Sequence, residues 1–500
     1  MRTFEGDIMG VETKCKEYDK NRPAWDLVRD AIDGEDTIKA KGTLYLPKPE
    51  GMEKEEYQSY AARVHWFNAT GRTAKGLHGM VYSKPPILDN CPEALKKVLE
   101  DIDREGTNID QFSSDLTWDA LATNWGGVLV DYPQADEKLD KGSAEREGLR
   151  TYAAWYSAES IINLRKKTVN HQQIITLVVL HEPYEKIGSN EFSTEIKNRY
   201  RVLDLDEATG TYRQRIFDED GDQGLSVPTS EVHPKKQGKE LDYIPFFTFP
   251  GREPEKSMIF DLACENVGHY QKSADFENGL HLTGIPTPFA TCQAPVDKNG
   301  DPVKVKLGGN SFLYLGDPAA TADYLDFKGE GLSALEKAIL NCEERMAILG
   351  ARIISAEKKG VESASAARIH RAGENSVLAS FALNASDVLT AVIREIGSWE
   401  NISGSDKVTY KLNTEYDVEE MEAQLFSALT SAHVQNKIGR KVYFYNLKKN
   451  DRVPDDMDLE AFEKDIADST EDHGPDGDDA NSSAEGTDDE KNAKVGAAQK

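Results

Sequence analysis

The stretch LSALEKAILNCEERMAILGARII, Leu332–Ile354, decides the fold. Its apolar residues Leu332, Leu335, Ile339, Cys342, Met346, Leu349 and Ile353 alternate spacings of three and four, the signature of a helix laid along another helix. The next eleven residues, SAEKKGVESAS, Ser355–Ser365, are too polar and too small to form core, and Gly360 offers a hinge. A second apolar stripe, Leu378, Phe381, Leu389, Val392 and Ile396, predicts another long helix ending near Trp399. Two rods therefore hold a charged, flexible loop between them.

A matching partner for the first rod lies upstream. From Ser257 to Leu282 the residues Ile259, Leu262, Asn266, His269, Ser273, Phe276 and Leu280 keep the same alternation, until Pro286 and Pro288 stop it. At about 1.5 Å per residue each helix spans roughly 30 to 40 Å. Between the two lies a small β unit: Phe289–Val296, an Asp297–Asp301 turn carrying the Asn-Gly hairpin signal, Val303–Leu307 and Ser311–Leu315. The pair is expected to be antiparallel, holding the β unit at the tip of a stalk.

The N-terminal half mixes helices and strands. A helix is predicted around Pro23–Ile32, an extended segment over Thr43–Pro47, and one helix from Lys54 to Val81 closed by Pro85 and Pro86. Helices over Glu93–Asp103 and Ile109–Thr123 lead into the buried strand Trp125–Tyr132. From Tyr152 to Phe249 the pattern turns to strands, clearest in Ile174–Leu180, Asn198–Leu205 and Thr211–Phe217, with Ala208-Thr-Gly210 as a hairpin turn and Tyr243–Pro250 as an aromatic strand. Near the end, Lys407–Leu412 reads as a strand, and Met421–His433 and Leu459–Ile466 as helices.

Composition bounds the chemistry. The 500 residues are 38% hydrophobic and 30% charged, as in water-soluble chains, and no run of about eighteen apolar residues is evident. The first residues lack the apolar core of a secretory signal. Cys15, Cys91, Cys264, Cys292 and Cys342 are odd in number and never in C-x-x-C spacing, which predicts free thiols in a reducing compartment. The net charge is −28; ten carboxylates with no Lys or Arg lie between Asp468 and Glu490, in a tail read as disordered, and about −18 remains elsewhere. Such a chain cannot grip nucleic acid tightly through its phosphates, although it can surround a duplex.

Motifs for catalysis are missing. There is no Walker-type glycine loop, no G-x-S-x-G and no H-E-x-x-H. Asp218–Asp222 begins like a calcium loop, but Gln223 replaces the glycine and Thr229 the glutamate, so it reads as a solvated turn. Thr70-Gly-Arg-Thr-Ala-Lys-Gly76 reads as helix packing. His269, His281 and His370 are read as interhelical hydrogen-bonding residues. The compact basic cluster beside the flexible break is Lys358 and Lys359, followed by Arg368 and Arg371, and it reads equally as an ordinary solvated loop. Lys304 and Lys306 read as a solvent-facing strand edge. No metal, cofactor or catalytic residue is expected.

The order of parts resembles the portal (head–tail connector) proteins of tailed bacteriophages. The resemblance rests on Phe67–Val81, Trp125–Pro133, Phe246–Pro254, Ser273–Pro288, Gly331–Ala338 and Ser363–Ser376 in combination, and reaches to about residue 450. It implies an α+β chain with an α/β wing (1–256), stem helices (257–282 and 332–354), a small β-rich clip (283–331) and a tunnel loop (355–365). A long wing helix with a strand rejoining the wing sheet (366–418), a helical crown (419–467) and the acidic tail (468–500) complete it. It also implies a non-enzymatic ring of about twelve copies at the capsid vertex of the virion, assembled in the host cytoplasm. The partners implied are the terminase large subunit, head-completion proteins, capsid or scaffold proteins and, transiently, double-stranded DNA, with no membrane. Lys358, Lys359, Ser363, Ser365 and Arg368 would then belong to the tunnel loop. Two other readings stay open: a non-channel minor head protein, and a metal-dependent hydrolase or nuclease whose carboxylates converge from separate segments.

Overall fold

The computed structural model describes residues 10–133, 149–188, 190, 192–221, 224–249, 253–284, 287–291, 296, 299, 319–325, 331–351, 364–416, 429–433, 435, 437–449, 453 and 457–471. Helices and strands both contribute, as an α+β chain requires. The chain divides into two compact units, Met1–Tyr416 and Asp417–Lys500.

The first unit is organised around the strand Gly126–Asp131, buried at every position. It pairs antiparallel with Phe246–Phe249 on one side and Tyr152–Ser157 on the other. Successive residues of a strand face opposite sides of a sheet, so Gly126 and Gly127 open opposite faces. A Cβ on Gly126 would lie 2.1 Å from the Trp155 ring, and one on Gly127 would lie 2.3 Å from the Phe246 ring. Each glycine therefore lets an aromatic ring from a neighbouring strand lie across the backbone, which explains Gly-Gly inside a buried strand. Gly127→Ala is expected to lower stability by about 2–3 kcal/mol through overpacking. Exposed Gly79, where a Cβ meets nothing within 4 Å, serves as the control in the same denaturant titration; Gly79→Ala should be neutral or stabilising.

The helix Ala364–Trp399 lies over this three-stranded sheet, with Leu378, Phe381, Leu389, Val392 and Ile396 buried and Phe381 edge-on to Phe249 at 5.1 Å. Its Val377–Trp399 segment is long and apolar enough to cross a membrane by composition alone. It is no unbroken apolar run, since Asp387, Arg394 and Glu395 interrupt it, and here its apolar stripe is covered by the sheet. A five-stranded antiparallel sheet follows, in the order 230–232, 212–218, 199–205, 172–181 and 161–169. Gly210 takes the left-handed φ of +72° in the predicted hairpin turn. The strand Thr409–Lys411 pairs with Ile87–Asp89 as a separate two-stranded ladder, so it does not join either larger sheet.

Three local expectations are corrected. The helix expected over Lys54–Val81 is two, Lys54–Arg63 and Ala69–Val81, because Val64 turns extended and Asn68 restarts the helix by accepting from the Gly71 N–H. Thr43–Pro47 is no strand: Gly42, at φ +53°, starts a tight turn that delivers the Tyr45 hydroxyl to Asp30 at 2.6 Å. The stalk helices run Phe260–Gly284 and Leu332–Met346, and the second ends in a wider turn at Ala347–Ala351 where Gly350 has φ +140°. Only glycine adopts that conformation without strain, so the break comes before the expected Ile354.

In the second unit the helices Arg440–Lys449 and Leu459–Glu471 share a small core built on Phe444, Leu447 and Val453. The first of these was not anticipated. The β strands expected at Val303–Leu307 and Ser311–Leu315, the hinge at Gly360, most of Met421–His433 and the acidic tail beyond Glu471 lie outside the described residues.

Candidate functional site: a helical hairpin and its root

The two stalk helices are antiparallel. Going up one and down the other, Glu265 meets Arg345, His269 meets Glu343, and Gly279 lies so close to Leu332 that a Cβ would come within 2.5 Å of its Cδ2. Beyond them the strands Thr287–Thr291 and Thr321–Leu325 pair antiparallel. This pairing was not foreseen, since the sequence pointed to shorter hairpins inside the same unit.

The hairpin has a bolted root. Buried Asn266 accepts from the Thr70 N–H at 3.1 Å and the Thr70 hydroxyl at 3.0 Å, and donates to the Phe67 carbonyl at 2.8 Å. Thr70 lies in the first turn of its helix, where backbone N–H groups have no intrahelical acceptor. A side chain 196 residues away supplies it. Leu262, Met346 and Ala69 close an apolar cluster beside it. Farther out, Tyr60 donates to Asp275 at 2.7 Å, Gln271 donates to the Tyr45 carbonyl at 2.9 Å, and Trp66 stands edge-on to Tyr270. The stalk also keeps an apolar, open surface: Leu280 and Leu282 farther out, Leu340 midway and Ile348 at the root are about half exposed.

Electrostatics tie the two helices together. Burial would raise the Glu265 carboxyl, but the hydrogen bond from Arg345 outweighs it and holds the group below its ordinary range. His269 is buried and its pKa is lowered, chiefly by that burial, against the pull of Glu343 at 3.4 Å. Lys272 and Glu265 also face it. A base held below its ordinary value of 6.5 takes its proton at lower pH in the folded chain than in the unfolded chain, which is protonated first. The contribution of this site is therefore full above pH 6.5 and falls as the pH drops below it. Hydrogen exchange of the stalk amides at pH 7.5 and pH 5.5, referred to intrinsic rates, should show the loosening, and His269→Gln should remove it.

Of the predicted loop residues, Lys358, Lys359 and Ser363 lie outside the described residues. Ser365 and Arg368 fall in the first turns of Ala364–Trp399, with side chains not described. The structure thus neither gathers nor separates this set. His370 has the same standing as Ser365, and His281 makes no hydrogen bond or ion pair among the described residues. In the acidic turn, Asp218 pairs with Arg199 at 2.6 Å and Asp220 with Lys186 at 2.8 Å, as a solvated turn would.

One buried acid stands out from the stalk. Asp131 borders a cavity of about 850 Å³ that Arg201, Gln214, Tyr152 and His233 also line. Burial raises its pKa. Its oxygens accept from the Tyr132 N–H and Gln214 Nε2 at 2.9 Å and from the Tyr152 hydroxyl at 3.3 Å, with Arg201 at 3.8 Å. A carboxylate so fully engaged links the two sheets, and has little capacity left for a ligand. Among the described residues no group of three or more His, Cys, Asp or Glu could hold a metal ion, and Cys15, Cys91, Cys264 and Cys342 are free thiols.

Comparison with known proteins adds the following. A family model described as "Domain of unknown function (DUF4055)" matches residues 258–400, which hold the whole hairpin and the whole long helix. No curated protein matches the sequence. Among solved structures, a chain from "Virion of native gene transfer agent (GTA) particle" aligns at 11% identity and a TM-score of 0.31. A chain from "Neck of empty GTA particle computed with C6 symmetry" aligns at 12% identity and a TM-score of 0.36. Each alignment covers 80% of this chain and 94% of the other. Neither superposition defines a common fold.

Proposed function

We propose that this chain is a portal protein of a tailed bacteriophage: a non-enzymatic subunit that closes into a ring around double-stranded DNA. The observation that carries the reading is the antiparallel stalk, bolted to the N-terminal helices through Asn266 at one end and carrying a β pair at the other. Its outer surface keeps Leu280, Leu282, Leu340 and Ile348 half exposed in the isolated chain. Neighbouring copies in a ring would cover them through a heterologous interface. In this reading the stalk is the stem, 283–331 the clip, 355–365 the tunnel loop, and 1–256 with 366–418 the wing. Residues 419–467 are the crown and 468–500 its acidic tail.

The charge supports a conduit. Phosphate contacts add over many subunits, so a channel that bound its cargo would stall it. A chain of net charge −28 offers a repelling wall, with the cations Lys358, Lys359 and Arg368 as weak, screened touch points. Ser363 and Ser365 keep that loop small enough to change shape. The clip is the part that would meet the terminase large subunit during packaging and head-completion proteins afterwards, with capsid or scaffold proteins around the wing.

End-on electron micrographs of the purified assembly test this reading. Closed rings with a central hole are expected. Compact particles without a hole would favour the minor head protein, and metal-dependent cleavage by the pure chain would favour the hydrolase.

A further inference from the structure

The second unit contains a long stretch free of acidic residues, directly ahead of the acidic C-terminal segment. Between Ala423 and Asn450 there is no carboxylate, although the full sequence has 88 acidic residues against 60 basic ones. The same stretch carries Lys437, Arg440, Lys441, Lys448 and Lys449. Lys437, Arg440 and Lys441 are exposed and make no ion pair among the described residues. Val442 and Tyr445 beside them are exposed by 52% and 55%. The helix Arg440–Lys449 has no acidic residue in its first turn. Cations at a helix N-terminus oppose the helix dipole and cost stability unless an anion sits there.

One side of this helix is fixed, with Phe444 and Leu447 in the small core. Phe444 packs on Phe462 of the helix Leu459–Glu471, with ring centroids 5.0 Å apart. The chain continues from Glu471 into a segment with eight carboxylates and no Lys or Arg between Asp472 and Glu490. At coil dimensions a stretch of 8 to 19 residues reaches roughly 15 to 25 Å, comparable to the roughly 15 to 20 Å length of each of these two helices. Tethering of this kind gives an effective concentration on the order of millimolar.

We infer that the acidic segment Asp472–Glu490 docks on the exposed cations Lys437, Arg440 and Lys441 of its own chain, at the start of this helix and beside Tyr445. Two polyanions could in principle occupy this face, the tail or a nucleic-acid backbone. A free duplex must approach against the field of a strongly acidic molecule. The tail is already there. Docking neutralises the cations at the helix start, and it leaves the surface masked toward other anions. This inference does not depend on the portal reading, because it concerns one chain and one unit.

Zero-length carbodiimide cross-linking of the dilute full-length chain, read by mass spectrometry, is the direct test. Lys437 or Lys441 should join carboxylates of the 472–490 segment at low salt, and these links should disappear near 1 M salt, where screening acts within about 3 Å. The exposed Lys411–Asp89 pair, 3.0 Å apart, reports that the reagent works. That control link without any tail link would overturn the inference. A second arm uses a labelled peptide of residues 472–490. It should bind a chain ending at Glu471 at least about tenfold more tightly than the full chain, since the tethered tail competes. Arg440→Glu with Lys441→Glu should abolish the binding. If labelled duplex DNA instead binds the full and shortened chains equally well through those two residues, the face belongs to nucleic acid and the docking is refuted.

Discussion

Asn266→Leu is expected to destabilise the first unit by about 3 kcal/mol or more and to release the stalk from its root. Leucine keeps the same forked heavy-atom skeleton, so the main loss is of hydrogen bonds, with any crowding by its larger methyls adding to it. Two buried donors are left unpaired, the Thr70 N–H and the Thr70 hydroxyl, and the Phe67 carbonyl keeps only the Ala69 N–H. Each such group costs about 1–3 kcal/mol when stranded away from water. The change should appear in hydrogen exchange as fast exchange of the first-turn amides of the helix Ala69–Val81, together with a lower denaturation midpoint. Asn278→Leu on the same helix breaks only a 3.3 Å contact with Arg63 and should stay within about 0.5 kcal/mol. Equal effects at the two positions would mean that Asn266 is not the anchor.

Lys358→Glu with Lys359→Glu carries the second large effect. Each subunit changes by four charge units, and in the proposed ring of about twelve copies the loops would become strongly anionic at the proposed channel. Packaging or retention of DNA should fall by at least about tenfold, with ring assembly unchanged, because the stalk contacts that hold a subunit together lie elsewhere. Rings lost, or packaging untouched, would contradict the assignment of this loop to the channel. Lys358→Arg with Lys359→Arg preserves the charge and should package normally.

Legibility in the sequence followed the strength of local patterns. The stalk was readable because alternating three–four spacing persists over many turns, and Cys342 and Met346 are buried as that spacing requires. The central strand was readable from Trp125–Tyr132, and its two glycines acquire their reason only when Trp155 and Phe246 are seen against them. Asn266 was visible as a polar residue within an apolar seam, but its partners Thr70 and Phe67 are nearly 200 residues away and no spacing rule connects them. The break at Val64–Asn68 escaped because the apolar periodicity runs across it, while the tertiary bond to Asn266 fixes it. The helix Arg440–Lys449 escaped for the opposite reason: its exposed side mixes Arg440, Lys441, Val442 and Tyr445, so no clean polar face marks it. The loop Ser355–Ser365 announces itself by composition, and composition alone does not say where its lysines point.

The mass of the assembled protein bears most directly on the central claim. Native mass measurement of the purified full-length chain should give a single closed species of about twelve chain masses, stable to dilution. A monomer that keeps Leu280, Leu282, Leu340 and Ile348 exposed to solvent would contradict it.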